Sequence, residues 1–130
     1  MNRDNCLSSA HLLRACLEER GWECHTQDVY QAADTAPDAV LFNDIPAGGV
    51  DAALGSWASG ARRFAALLEC DVIKPENWRP GAHDGFEAVF TWDERCVDGV
   101  KYFKANFSNH FPGDVEPDAG PRPGLSLIHI

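Results

Sequence analysis

Between Leu7 and Arg20 the apolar positions Leu7, Ala10, Leu13 and Leu17, flanked by Leu12 and Cys16, recur at helical spacing, and Gly21 supplies a stop. This spacing predicts a first helix. Trp22-Glu23-Cys24-His25-Thr26 alternates and predicts a short strand, and Gln31 to Pro37 is a polar connection. The pattern then changes. Asp38-Ala39-Val40-Leu41-Phe42-Asn43-Asp44 holds a continuous apolar run too short for a helix, as expected of a parallel strand buried on both faces. A glycine-containing segment with a weakly helical middle, Val50 to Trp57, leads to Phe64 to Leu68, the next expected strand, which ends on Glu69. Pro75, Pro80 and Gly81 break the chain; Ala88 to Trp92 predicts another strand, and Tyr102 to Phe107 alternates like a last one. Leu41, Phe42, Leu67, Leu68, Val89 and Phe90 are the expected core, with Leu13 and Leu17 packing the first helix onto the sheet.

Strands separated by helical or loop crossovers imply an α/β fold, a Rossmann-like, mostly parallel sheet with flanking helices. Such a sheet normally begins with a central strand feeding the first helix. Here the helix begins within a few residues of Met1, so a first strand is expected to be missing, with Asn2 to Asn5 as the loop that follows it. Residues 1–112 form the expected incomplete domain. Pro112 to Gly124 contains four prolines and three glycines, so residues 113–130 are expected to be a disordered Pro/Gly-rich tail. Its end, Leu125-Ser126-Leu127-Ile128-His129-Ile130, resembles translated cloning or adapter sequence and is expected to be non-native.

With 130 residues the chain has room for one domain with a real core. A formal charge of −9 and a pI near 4.8 argue against a nucleic-acid partner, whose binding rests on Lys and Arg. A neutral sugar suits this balance. Cys6, Cys16, Cys24, Cys70 and Cys96 are odd in number and contain no CxxC pair, so reduced thiols and a cytoplasmic location are expected rather than a zinc site or a disulfide framework. No apolar run approaches the ~20 residues that span a bilayer, and the polar start is unlike a signal peptide.

Glu69 is the leading chemical candidate, because ligands of open α/β sheets bind at the carboxyl ends of the strands. The ordinary alternative is a solvated acid that caps the next turn. Asp44, at the end of another expected buried strand, is placed to hydrogen-bond a sugar hydroxyl, or else simply shapes the turn before Pro46. Trp78 offers an apolar face for a sugar ring, with packing beneath its loop as the alternative; Trp92 is expected in the core. His25, His83 and His110 lack metal-ligand spacing and are expected to be satisfied or exposed, and Gly48-Gly49 alone is no phosphate loop. Arg62, Arg63, Lys101 and Lys104 read as solvated charges.

The runs "LLECDVIKPENW", "AVFTWD" and "KYFKANF" resemble the N-terminal half of family-10 glycosyltransferases, the α1,3/1,4-fucosyltransferases and their bacterial and phage relatives. The resemblance covers roughly Asn2 to Phe107. It implies one half of a two-domain GT-B type enzyme that transfers fucose, with inversion, from GDP-fucose to a glycan hydroxyl. On that resemblance Glu69 is the general base and Asp44, Asn77 and Trp78 contact the acceptor. No metal or cofactor is implied; GDP-fucose is a donor substrate, held by a C-terminal domain whose motifs these residues lack, so the chain alone is expected to be inactive. The absence of a DxD pair agrees with that family.

A phosphoacceptor receiver domain is the competitor suggested by Pro37 to Phe42 and Lys74-Pro75. Only 31 positions separate Asn43 from Lys74, whereas the two βαβ steps required need about 30 residues each. The expected aspartate is also Asn43. A non-catalytic α/β sugar-binding or interaction module is the remaining alternative.

Overall fold

The computed structural model describes residues 8–106, so the expectations for Asn2 to Asn5, Phe107, His110 and the tail 113–130 lie outside the described residues. Short runs of Ala, Val, Leu and Phe form β1 (Ala39–Asn43), β2 (Arg62–Leu67), β3 (Ala88–Thr91) and β4 (Tyr102–Lys104). All pair in parallel, in the spatial order β1-β2-β3-β4. Three helices accompany them: α1 (Ser8–Glu18), α2 (Gln27–Ala32) and α3 (Val50–Leu54), the last within the first crossover. This is the α/β, Rossmann-like architecture predicted by the sequence. The later crossovers carry only 3₁₀ turns, Pro75–Trp78 and Glu94–Cys96, the first opened by a proline whose missing N–H is harmless there.

The register lays Phe42, Ala65, Val89 and Tyr102 in one row across the sheet. Ala65 and Val89 are fully buried and Leu67 nearly so, packed under Ile45, Val50, Trp78 and Phe86 from the crossovers. Phe86 meets Phe42 edge-on at 5.8 Å. A smaller cluster of Leu54, Ala58 and Ala61 extends this layer beneath Val40 and Trp57. Small side chains at Ala61 and Ala65 let the crossovers approach the sheet closely.

Burial on both faces is not what the described residues show. The opposite face, with Leu41, Phe64, Phe90 and Phe103, is open: Leu41 is 42% exposed and Phe103 37%. Leu67 and Val89 meet the core expectation, Phe42, Leu68 and Phe90 are half-buried, and Leu41 departs from it. Neither α1 nor α2 has a buried residue, so Leu13, 45% exposed, does not pack α1 onto the sheet. An apolar run states that a strand is hydrophobic; it does not say how many faces are covered.

Two further expectations are corrected. Residues 22–26 form no strand; the Tyr30 hydroxyl donates to the Glu23 carbonyl, and His25 packs edge-on to Tyr30. Arg63 is not a solvated charge. Its register places it on the core face beside Ala65, and it pairs with Asp51 at 2.8 Å. Arg62, on the other face, grips Glu87 with both Nε and Nη2 and lies over the Phe64 ring.

Trp57 carries the one buried side-chain donor without a partner among the described residues, its Nε1–H. A buried unpaired donor costs about 1–3 kcal/mol, which partly offsets the packing that the indole provides. Trp57→Phe is therefore expected to change unfolding free energy by no more than about 1 kcal/mol in urea titrations, against the roughly 3–5 typical of removing a large buried aromatic. A loss near the larger figure would reveal a partner for that N–H.

Candidate functional site at the carboxyl edge of the sheet

β1 and β2 are adjacent and parallel, so their C-terminal ends emerge side by side and bring Asp44 to the chain leaving β2. The Asp44 N–H still donates to the Ala66 carbonyl at 2.9 Å, after which the backbone turns through φ 62°. Aspartate is among the few non-glycine residues at home in that left-handed region. The turn aims its carboxylate across the sheet edge. Oδ1 accepts from the Leu68 N–H at 2.6 Å, the Glu69 N–H at 3.1 Å and the Asn77 amide at 2.6 Å.

Asn77, fully buried, closes the knot. Its Nδ2 also donates to the Glu69 carbonyl at 3.1 Å, and its Oδ1 accepts from the Ile45 N–H at 2.8 Å. The Trp78 indole N–H donates to the same Glu69 carbonyl at 3.1 Å, and its ring meets Trp92 edge-on at 6.0 Å. The Glu69 peptide is thus held through its N–H and its C=O. Glu69 is half-buried, and its carboxylate has no hydrogen-bond or ion-pair partner among the described residues.

His83 extends the network outward. Its Nε2 lies 2.7 Å from the Asn77 carbonyl, which only accepts, so Nε2 carries the proton and Nδ1 accepts from the Tyr102 hydroxyl at 3.1 Å. Burial holds the imidazole pKa below its ordinary 6.5; Lys101 pushes the same way, while the Asn77 carbonyl and Asp84 act against it. A folded-state pKa below the unfolded one means stability that is complete above about pH 6.5 and is lost as pH falls through the lower folded value. The urea midpoint is expected to drop from pH 7.5 to 5, and His83→Gln to flatten that drop. An unchanged slope in the variant would assign the acid sensitivity elsewhere.

Two cavities open beside the knot. One, about 350 Å³, is lined by Leu67, Trp78, segment 79–84, Cys96 and Tyr102. The other, about 520 Å³, lies between the residues following β1 and segment 79–82. Glu69 lines neither. Burial raises the Cys96 thiol pKa, with Asp93 adding to the effect, so the thiol is protonated at neutral pH and is no ready nucleophile. Asp93 is held down to about 2 chiefly by its hydrogen bonds from Arg95, which fix the turn after β3.

All four residues singled out in the sequence, Asp44, Glu69, Asn77 and Trp78, therefore meet at one edge. Two of them, Asp44 and Asn77, tie the edge together. Asn77 is fully buried with its amide engaged by Asp44, Glu69 and Ile45, and the Asp44 Oδ1 accepts from three protein donors. Both hold Glu69 in place. His83 and Tyr102 were not singled out as site residues; the available signals were Pro80-Gly81 and Gly85 bracketing a tight turn around His83, and the alternation that turns Tyr102 inward.

No family model, curated protein or solved structure matches this chain. Among the described residues no helix is long and apolar enough to cross a membrane, and no group of three or more His, Cys, Asp or Glu is placed to hold a metal ion. Cys16, Cys24, Cys70 and Cys96 are unpaired, half-buried thiols.

Proposed function

We propose that this chain is the acceptor side of an inverting glycosyltransferase, transferring fucose from GDP-fucose to a glycan hydroxyl, with Glu69 as general base. The donor would be bound by a second domain. One observation carries the reading: Glu69 follows the carboxyl end of β2 with its peptide held by Asp44, Asn77 and Trp78 while its carboxylate has no partner among the described residues. A fixed main chain with a free carboxylate is what proton removal from a bound hydroxyl requires, since orientation and hydrogen-bond reach decide the efficiency of a base. In this reading the carboxylate accepts the acceptor proton as the hydroxyl oxygen attacks the anomeric carbon, and GDP leaves from the opposite face. Asp44 and Asn77 act as positioning residues.

A second reading, a non-catalytic sugar-binding module, is favoured by the finding that Glu69 lines neither cavity. A transfer assay separates the two. The two-domain protein containing this chain is expected to release GDP from GDP-fucose only when a neutral oligosaccharide acceptor is present. Release that ignores the acceptor, or no release with any acceptor of a broad panel, would overturn the transfer reading.

A further inference from the structure

We propose that the 350 Å³ cleft bounded by Trp78, Arg79, Asp84 and Tyr102 is a subsite for one neutral sugar ring. The inference rests on the glycan-acceptor reading for its ligand class and adds the place where the acceptor sits. Its volume is at the small end for ligand pockets, suited to a single ring. Its chemistry is mixed. Trp78 and Tyr102 supply aromatic surface, against which the C–H face of a pyranose packs, while Arg79 and Asp84 supply planar groups that hydrogen-bond paired hydroxyls.

Charge selects against anions. Arg79 already faces Glu76 at 3.3 Å, Asp84 opposes any phosphate or carboxylate, and burial disfavours the charged form of His83. The cleft wall is also set in advance. His83 is tied to Asn77 and Tyr102, and Gly81, at φ 77°, makes a turn so close to Asp84 that an added Cβ would meet its Oδ2 at 3.3 Å. A wall ordered before binding leaves less freedom to lose. Trp78 connects this cleft to the base, because it lines the cleft while its indole N–H holds the Glu69 carbonyl.

The test is amide and indole shift mapping of the chain with lactose, cellobiose and maltose, and with inorganic phosphate as the anionic probe. At least one disaccharide is expected to shift Trp78, Gly81, His83 and Tyr102 more than phosphate does. Asp84→Asn and Arg79→Gln, both at exposed positions, are each expected to weaken that binding about tenfold without changing the urea midpoint. Shifts centred on Gly48 to Asp51, stronger shifts with phosphate, or unaltered affinity in both variants would overturn the subsite. If no disaccharide enters the cleft while the two-domain protein still transfers fucose, the subsite fails and the transferase reading stands. If the cleft binds sugar and no transfer occurs, the subsite stands and the transferase reading fails.

Discussion

Asn77→Ala is expected to destabilise the domain by about 3–5 kcal/mol, the largest stability effect of any single substitution at this edge. The side chain is fully buried and makes three hydrogen bonds, so its loss leaves the Ile45 N–H without its acceptor and takes a donor from both Asp44 and the Glu69 carbonyl. An unpaired buried N–H alone costs about 1–3 kcal/mol, and the emptied volume adds to it. Since domains of this size are stable by only about 5–15 kcal/mol, much of the folded population is at risk. Asn77→Asp is expected to be worse at neutral pH, because a second carboxylate would face Asp44 where an amide now donates at 2.6 Å. It should recover partly on mild acidification. Urea titrations at pH 7 and pH 5 measure both; an alanine variant within about 1 kcal/mol of the parent would show that the knot does not hold the edge together.

Glu69→Gln is expected to behave oppositely, leaving stability intact and lowering kcat of the two-domain protein by about 10²–10⁴. The Glu69 bonds within the knot all go to its main chain, which glutamine retains, and the carboxylate has no partner to lose among the described residues. What disappears is the proton acceptor. Affinity for GDP-fucose is expected to stay near the parental value, because the amide occupies the same space. Parental kcat in the variant, or an equal loss of donor affinity, would remove Glu69 from the role of base. The pair of substitutions separates holding the site from performing its chemistry.

The sequence made the sheet legible because parallel strands advertise themselves as short apolar runs between breakers: Ala39–Asn43, Arg62–Leu67 and Ala88–Thr91 all lie within a few residues of the runs that predict them. It did not make the covering legible. Helical spacing in α1 specifies an apolar stripe without specifying what that stripe meets, and Leu12 and Leu13 remain exposed. Alternation at residues 22–26 suggested a strand, yet a strand also needs a free edge within reach. The site was half legible for a similar reason. Strand-end acids can be located by counting along the chain, which placed Asp44 and Glu69 together; that Asn77 is buried and binds both depends on how the Pro75–Trp78 turn folds back, and no periodicity encodes that. Arg63 shows the same limit, since one step of register separates it from the solvent-facing Arg62.

The unbroken strand order also bears on how the chain is made. Among the described residues each strand adds beside the one synthesised just before it, and none of these strands must insert between two that are already paired. During translation, at about 5–20 residues per second, the stretch between β2 and β3 takes roughly 1–4 s to emerge, an interval in which the β1–β2 ladder can close before β3 leaves the ribosome. Asp44 then meets the Leu68 and Glu69 N–H groups first and acquires the Asn77 amide within about two seconds, as the next turn emerges. Biosynthesis in the N-to-C direction and assembly of the sheet run in the same order, so every nascent intermediate presents the edge that the next segment is about to cover.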